Sequence, residues 1–95
     1  MKGKIIGAIS QIGKTEIHGE NGFRKREVIL KTVEEFPNTY LIEFTQDNVD
    51  LLDAFSVGQN VVVKCQVTGR DYTNNEGKYM VFTTIRGWEI EELKA

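Results

Sequence analysis

Residues 60–72 read Asn-Val-Val-Val-Lys-Cys-Gln-Val-Thr-Gly-Arg-Asp-Tyr, and this stretch decides the fold of the chain. Small apolar and polar side chains alternate along most of it, which is the period of a β-strand that buries one face. The expected core face carries Val61, Val63, Cys65, Val67 and Gly69. The expected outer face carries Val62, Lys64, Gln66, Thr68, Arg70 and Tyr72.

A hairpin and four further strands extend from this segment in both directions. Residues 73–77, Thr-Asn-Asn-Glu-Gly, have the composition of a hairpin loop. The alternation of side chains and the turn residues together predict strands at residues 3–12, 23–33, 40–46, 60–72 and 78–90. The polar, glycine-rich segment 13–22, which contains His18, is predicted to be a loop or a loose hairpin tip.

One short helix is predicted, at residues 47–55. Asp47 or Asn48 is expected to cap it, and Gly58 is expected to stop it. Its apolar face consists of Leu51, Leu52 and Phe55.

The order of these elements predicts an all-β fold. Five strands with a short helix between strands 3 and 4 is the layout of the OB-fold barrel, in a single domain spanning residues 1–95. An SH3-like barrel also has five strands, so the order by itself leaves that alternative open.

The charges are unevenly distributed along a chain whose net charge is −2. Residues 1–33 hold seven Lys and Arg against three Glu, whereas residues 34–60 hold six acids and no base. Residues 61–87 hold four bases and two acids, and residues 88–95 hold one base and three acids. If the two basic segments form neighbouring strands, one face of an acidic protein is positive.

Composition argues against membrane and catalytic roles. The longest apolar run, Tyr79–Phe82, has four residues, the start of the chain lacks the pattern of a signal peptide, and Cys65 is the lone cysteine. We therefore expect a cytoplasmic protein that does not contact a membrane.

With His18 the sole histidine and no nucleotide- or metal-binding motif, we expect no cofactor, no metal and no enzymatic activity. The carboxylates between residues 34 and 53 could serve a metal-dependent nuclease, but solvated positions explain them better.

Binding of single-stranded nucleic acid is better supported, because it needs cations for phosphates and aromatic rings for bases. Three clusters combine these residue types: Phe23, Arg24, Lys25 and Arg26; Arg70 and Tyr72 with Lys78 and Tyr79; and Phe82, Arg86 and Trp88. Lys64 adds a further cation on the outer face of residues 60–72.

Each cluster also has a purely structural explanation. The run of cations at residues 24–26 could protect a strand edge. Tyr72 and Tyr79 could form a cross-strand pair in the hairpin. Phe82 and Trp88 could close the core of the barrel.

Residues 50–63 resemble the helix-to-strand passage of small OB-fold proteins, and residues 69–79 resemble the strand 4–5 hairpin of bacterial single-stranded DNA-binding proteins. The whole chain is more similar to a family of short bacterial and phage relatives of them, with Lys-Gly-Lys-Ile-Ile at residues 2–6 and Arg-Gly-Trp at residues 86–88. The resemblance implies an OB-fold that coats single-stranded DNA in replication, recombination or repair. The main bacterial proteins continue into a long linker and an acidic tip, whereas this sequence stops at Ala95, which puts recruitment of partners through a tail in doubt.

The sequence thus predicts a non-catalytic binder of single-stranded DNA with little sequence preference. Arg24, Lys25, Arg26, Lys64, Arg70, Lys78 and Arg86 are expected to contact phosphates. Phe23, Tyr72, Tyr79, Phe82 and Trp88 are expected to stack on bases. A dimer or larger assembly is also expected, because one small domain has a short footprint. The alternative is an OB-fold adaptor that binds proteins and no nucleic acid, which the overall acidity favours.

Overall fold

The computed structural model describes residues 1–94. It contains six strands and one 3-10 helix: β1 (Lys2–Ile12), β2 (Glu16–His18), β3 (Phe23–Lys31), β4 (Thr39–Thr45), η1 (Gln46–Ala54), β5 (Asn60–Thr73) and β6 (Tyr79–Glu92). No helix among these residues is long and apolar enough to cross a membrane.

All six strands belong to one sheet, in the order β1-β5-β6-β4-β3-β2. β1 also pairs with β3, so five of the strands close into a barrel and β2 is attached outside it. Neighbours are antiparallel except for β4 and β6, which meet in a short parallel pairing of Ile42 with Ile85 and of Glu43 with Arg86. The prediction of an all-β, five-stranded barrel is confirmed.

Two predicted elements differ in detail. The segment 13–22 contains the three-residue strand β2, which pairs with the start of β3 and turns through Gly19 and Gly22, both at positive φ. The helix is of the 3-10 type and begins at Gln46 behind Thr45, which makes no side-chain capping bond, so the predicted cap by Asp47 or Asn48 is wrong.

The barrel encloses an apolar core. Its buried members are Ile9, Val28, Leu30, Ile42, Phe44, Leu52, Val61, Val63, Cys65 and Ile90. The helix contributes Val49 and Leu52, whereas Leu51, which was predicted for its apolar face, is exposed.

Strand β5 buries one face only along its first half. Val61, Val63 and Cys65 are buried as predicted, but Val67 is 41% exposed and its assignment to the core is wrong. The reason is that Val67 lies at the end of the barrel, beside Ile85, the last residue of β6 that pairs with β4. Beyond it, β5 and β6 continue as a two-stranded ribbon, from Thr68 paired with Thr84 to Thr73 paired with Tyr79. Within residues 1–94 no second layer covers this ribbon, so alternation there no longer separates core from surface.

A β-bulge lies where the ribbon joins the barrel. Lys64 pairs with Glu89 and Cys65 with Gly87, so Trp88 is an extra residue on β6. Gly87 is buried against Phe44, and a Cβ at this position would lie 2.7 Å from Cζ of Phe44 and 3.1 Å from Cγ2 of Ile42. The absence of a side chain at position 87 therefore lets β6 pack against β4.

We predict that Gly87→Ala lowers the free energy of unfolding by about 1–3 kcal/mol, because the added methyl group would overpack the fully buried ring of Phe44. Gly69→Ala is the matched control, since a Cβ there meets nothing within 4 Å. It should change stability by at most about 0.5 kcal/mol. Urea denaturation of the two variants measures the difference, and equal midpoints would contradict this account of the closure.

Candidate nucleic-acid interface

The ribbon of β5 and β6 has two faces, which the strand register assigns. On one face, Thr68 pairs with Thr84, Arg70 with Phe82 and Tyr72 with Met80. On the other face, Val67 pairs with Ile85, Asp71 with Val81 and Thr73 with Tyr79. We call the first the groove face and the second the far face.

The groove face forms one wall of an open groove of about 560 Å³. The opposite wall comes from β2, β3 and β4, which the parallel pairing of β4 with β6 brings alongside. The lining residues are His18, Phe23, Lys25, Glu43, Thr68, Gly69, Arg70, Tyr72, Phe82, Thr84 and Arg86.

The groove is positive although the protein is acidic. Lys25, Arg70 and Arg86 line it together with a single carboxylate, that of Glu43, which gives a formal charge of +2 with His18 neutral. Lys25 comes from the first basic segment of the sequence, and Arg70 and Arg86 come from the second. The fold therefore brings one cation of the first basic segment and two of the second to one groove.

Two exposed aromatic rings lie beside these cations. Tyr72 and Phe82 are each 53% exposed, and both line the groove. Phe82 therefore lies outside the core, so its alternative explanation as a core residue does not hold. Phe23 is half-buried at the start of β3 and lines the same groove.

Trp88 lies in a second, adjoining groove of about 330 Å³. The bulge turns it away from the core, it is 38% exposed, and Nζ of Lys2 lies 5.8 Å from the centroid of its ring. Arg86 lines both grooves and so connects them. The ammonium of Lys2 and the indole ring of Trp88 thus form a cation–π pair at the surface. Trp88 therefore does not close the core of the barrel, which was its structural explanation from the sequence.

Arg24 and Arg26 lie away from the groove, where they attach β3 to η1. Nη1 of Arg26 donates to Oδ1 of Asp53 at 2.7 Å, and its Nε donates to the carbonyl oxygen of Gly13 at 2.8 Å. Nη2 of Arg24 donates to the carbonyl oxygen of Gln46 at 2.9 Å and to Oδ2 of Asp50 at 3.2 Å. These contacts of Arg24 and Arg26 hold η1 against β3. Lys25, which lies between them in the sequence, lines the groove instead.

Lys64 also lies outside both grooves. Its Nζ is 2.7 Å from Oε2 of Glu89, and this hydrogen bond and the negative charge of Glu89 raise the pKa of the Lys64 ammonium. The predicted cation is therefore present on the outer face of β5, but it is already paired.

Tyr79 lies on the far face, opposite to Tyr72. Its hydroxyl donates to Oδ2 of Asp71 at 3.2 Å. Because Tyr72 pairs with Met80 and Tyr79 pairs with Thr73, the two tyrosines do not form the cross-strand pair considered from the sequence. Lys78, in the exposed turn before β6, does not line either groove.

Sequence reasoning missed several groove residues. Glu43 was considered only as part of an acidic cluster, although alternation along β4 places it on the outer face, between the buried Ile42 and Phe44. Thr68 and Thr84 have no sequence feature that indicates binding. His18 was expected in a loop or a loose hairpin tip, because its segment is polar and glycine-rich, whereas it ends the three-residue strand β2. Across residues 1–94 no group of three His, Cys, Asp or Glu side chains is arranged to hold a metal.

Comparison with known proteins identifies a family and the fold. The family model described as "Domain of unknown function (DUF3127)" matches residues 4–91. No curated protein matches the chain.

Two crystal structures of a mitochondrial single-stranded DNA-binding protein from S. cerevisiae, Rim1, are similar to the chain with a TM-score of 0.71. They are 18% identical to it, cover 99% of it, and are themselves covered to 95% and 96%. The OB-fold prediction is thereby confirmed, and the SH3-like alternative is set aside.

Proposed function

The chain belongs to the DUF3127 family, and we propose that it binds single-stranded DNA with little sequence preference, in replication, recombination or repair. The observation that carries the proposal is the groove in which the exposed rings of Tyr72 and Phe82 lie beside Lys25, Arg70 and Arg86. Single-strand binders need this combination of a positive track and stacking platforms. That the similar yeast protein binds single-stranded DNA adds support.

In the proposed mechanism the strand lies across the ribbon, with its bases towards Tyr72 and Phe82. Every base has a π-face, so stacking on these rings tolerates any sequence and contributes about 1–3 kcal/mol per base. Arg70 and Arg86 neutralise phosphates along the same path. Arg86 also leads to the second groove, where Trp88 and Lys2 provide a further ring and a further cation. In a duplex the bases are already stacked on each other, so duplex DNA should bind much more weakly.

We propose that this role is binding without catalysis, in the cytoplasm of a bacterium or a phage-infected cell. The groove contains one carboxylate and one imidazole, Glu43 and His18, on separate strands and each engaged with a charged neighbour. Burial raises the pKa of the Cys65 thiol, which keeps it protonated and unreactive. A buried, unreactive thiol suits a reducing compartment.

We further propose that two copies associate through the far face of the ribbon. Val67, Tyr79 and Val81 are exposed there. Val67 also lines a hollow of about 210 Å³, together with the apolar side chains of Met1, Ile5, Tyr40 and Ile85 and with Lys2 and Lys4. A two-stranded ribbon is marginally stable by itself in water. A second copy that covers the far face would bury these side chains and leave both grooves open.

The salt response tests the binding function. Four cations lie where phosphates are expected, namely Lys25, Arg70, Arg86 and Lys2, but Lys25 and Arg86 already face the carboxylate of Glu43. The logarithm of the affinity for fluorescent oligo-dT should therefore fall with the logarithm of salt concentration at a slope of about −1.4 to −2.1, the contribution of two or three net cations. Mixed-sequence and dC strands should bind within about tenfold of dT. A flat response, or no binding at low salt, would overturn the proposal and favour the protein-binding adaptor.

The two tyrosines of the ribbon test the assignment of its faces. Tyr72→Ala should weaken binding of oligo-dT by about 1–3 kcal/mol, because a stacking platform is lost. Tyr79→Ala is the matched variant on the far face. Compared at concentrations where light scattering gives both variants the same mass, it should leave the dissociation constant within about twofold. Fluorescence titrations of both variants measure this, with circular dichroism melts to establish that each is folded. The opposite order of effects would mean that the strand lies on the far face.

Light scattering tests the association of copies. The wild-type chain should have twice the mass of one chain, and Val81→Lys should reduce it to one, because a charge on the far face opposes its burial. A single-chain mass for the wild type would contradict the proposed dimer.

A further inference from the structure

Glu43 is the one acidic side chain that lines the larger groove, among the described residues. Its side chain is only 15% exposed, and its two oxygens are engaged by different cations. Oε1 accepts a hydrogen bond from Nη2 of Arg86 at 3.2 Å, and Oε2 lies 3.8 Å from Nζ of Lys25. The carboxylate therefore lies between two of the three groove cations.

The topology of the barrel imposes this position. Glu43 pairs with Arg86 in the parallel contact that closes the barrel, and with Glu27 in the antiparallel contact with β3. Directly opposed carboxylates are unfavourable in a sheet. Lys25 and Arg86 offset that cost in the free protein, so they are held in place before any ligand arrives.

This arrangement leaves one hydrogen-bond donor of Arg86 without a partner among the described residues. Its Nε is buried and has no hydrogen-bond partner within the described structure. An unpaired buried donor costs free energy, and a guanidinium binds best when two of its donors reach one planar or tetrahedral anion. A phosphate offers such a site, whereas Glu43 accepts from only one nitrogen.

We propose that Glu43 occupies the place of a strand phosphate in the free protein, and that binding of single-stranded DNA breaks its ion pairs with Lys25 and Arg86. This proposal rests on the proposed function. Glu43 then limits the affinity of the groove, because each phosphate that binds there must displace a carboxylate that already neutralises the cations. Glu43 also keeps the side chains of Lys25 and Arg86 extended and apart in the free protein, in position to contact the strand.

Glu43→Gln tests the proposal, because the amide has nearly the same shape and no charge. With Lys25 and Arg86 released, the salt slope for oligo-dT should become steeper by about 0.7 to 1.4, and affinity at low salt should rise about fivefold. Asp50→Asn is the matched control. It makes the same change in net charge and releases Arg24, whose ion pair with Asp50 at 3.2 Å lies outside the groove, so its slope should equal that of the wild type.

The effect should depend on Arg86. When Glu43→Gln is introduced into an Arg86→Gln chain, the slope should steepen by about 0.7 at most, because only Lys25 is then released. Should Glu43→Gln fold poorly, Glu43→Asp is a second variant, because its shorter side chain weakens both ion pairs and should steepen the slope in the same direction.

Three outcomes separate the possibilities. A wild-type chain that does not bind oligo-dT overturns the proposed function itself. A wild type that binds, with a Glu43→Gln variant that melts at a lower temperature and binds with an unchanged slope, overturns this proposal and makes Glu43 a purely structural residue of the sheet. Equal steepening by Glu43→Gln and Asp50→Asn overturns it as well, because net charge alone would then explain the effect.

Discussion

The short parallel pairing of β4 with β6 is the contact on which the remaining structure depends. It involves only two residue pairs, Ile42 with Ile85 and Glu43 with Arg86, and together with the pairing of β1 with β3 it closes the barrel. It is possible because Gly87 leaves room for the ring of Phe44, against which any side chain would collide. The same pairing determines where the two basic segments of the chain meet. One contact between strands therefore accounts for both the closed core and the positive groove.

Closure at this point also explains why the outer surface divides into regions of different character. β5 and β6 are longer than the barrel requires, and the excess forms a ribbon whose groove face carries Arg70 beside the exposed rings of Tyr72 and Phe82, and whose far face exposes Val81 and Tyr79. Lys25, Arg70 and Arg86 converge on the groove, whereas Asp50 and Asp53 of η1 are paired with Arg24 and Arg26 on another surface. A protein of net charge −2 can therefore present a positive groove.

Alternation in the sequence predicted the barrel strands and the buried positions Val61, Val63 and Cys65, because those residues face a continuous core. It failed at Val67, where the same alternation continues beyond the barrel. Adjacent cations were predicted to act alike, but alternation across β3 sends Arg24 and Arg26 to the helix and Lys25 to the groove. Glu43 was missed as a groove residue because its role depends on a pairing between strands far apart in sequence, which no local pattern encodes.

Mapping of oligo-dT onto the protein by nuclear magnetic resonance is the most direct test of whether single-stranded DNA binds in the groove. Amide signals of a ¹⁵N-labelled chain would be followed during a titration, with the side-chain signals of Arg86 and Arg26 recorded in parallel. Binding in the groove predicts the largest chemical-shift changes at Arg70, Phe82 and Arg86 on the groove face. It predicts little change at the Nε of Arg26, which donates to the carbonyl oxygen of Gly13. Large shifts along η1 and at Arg26, with the groove face unchanged, would contradict it.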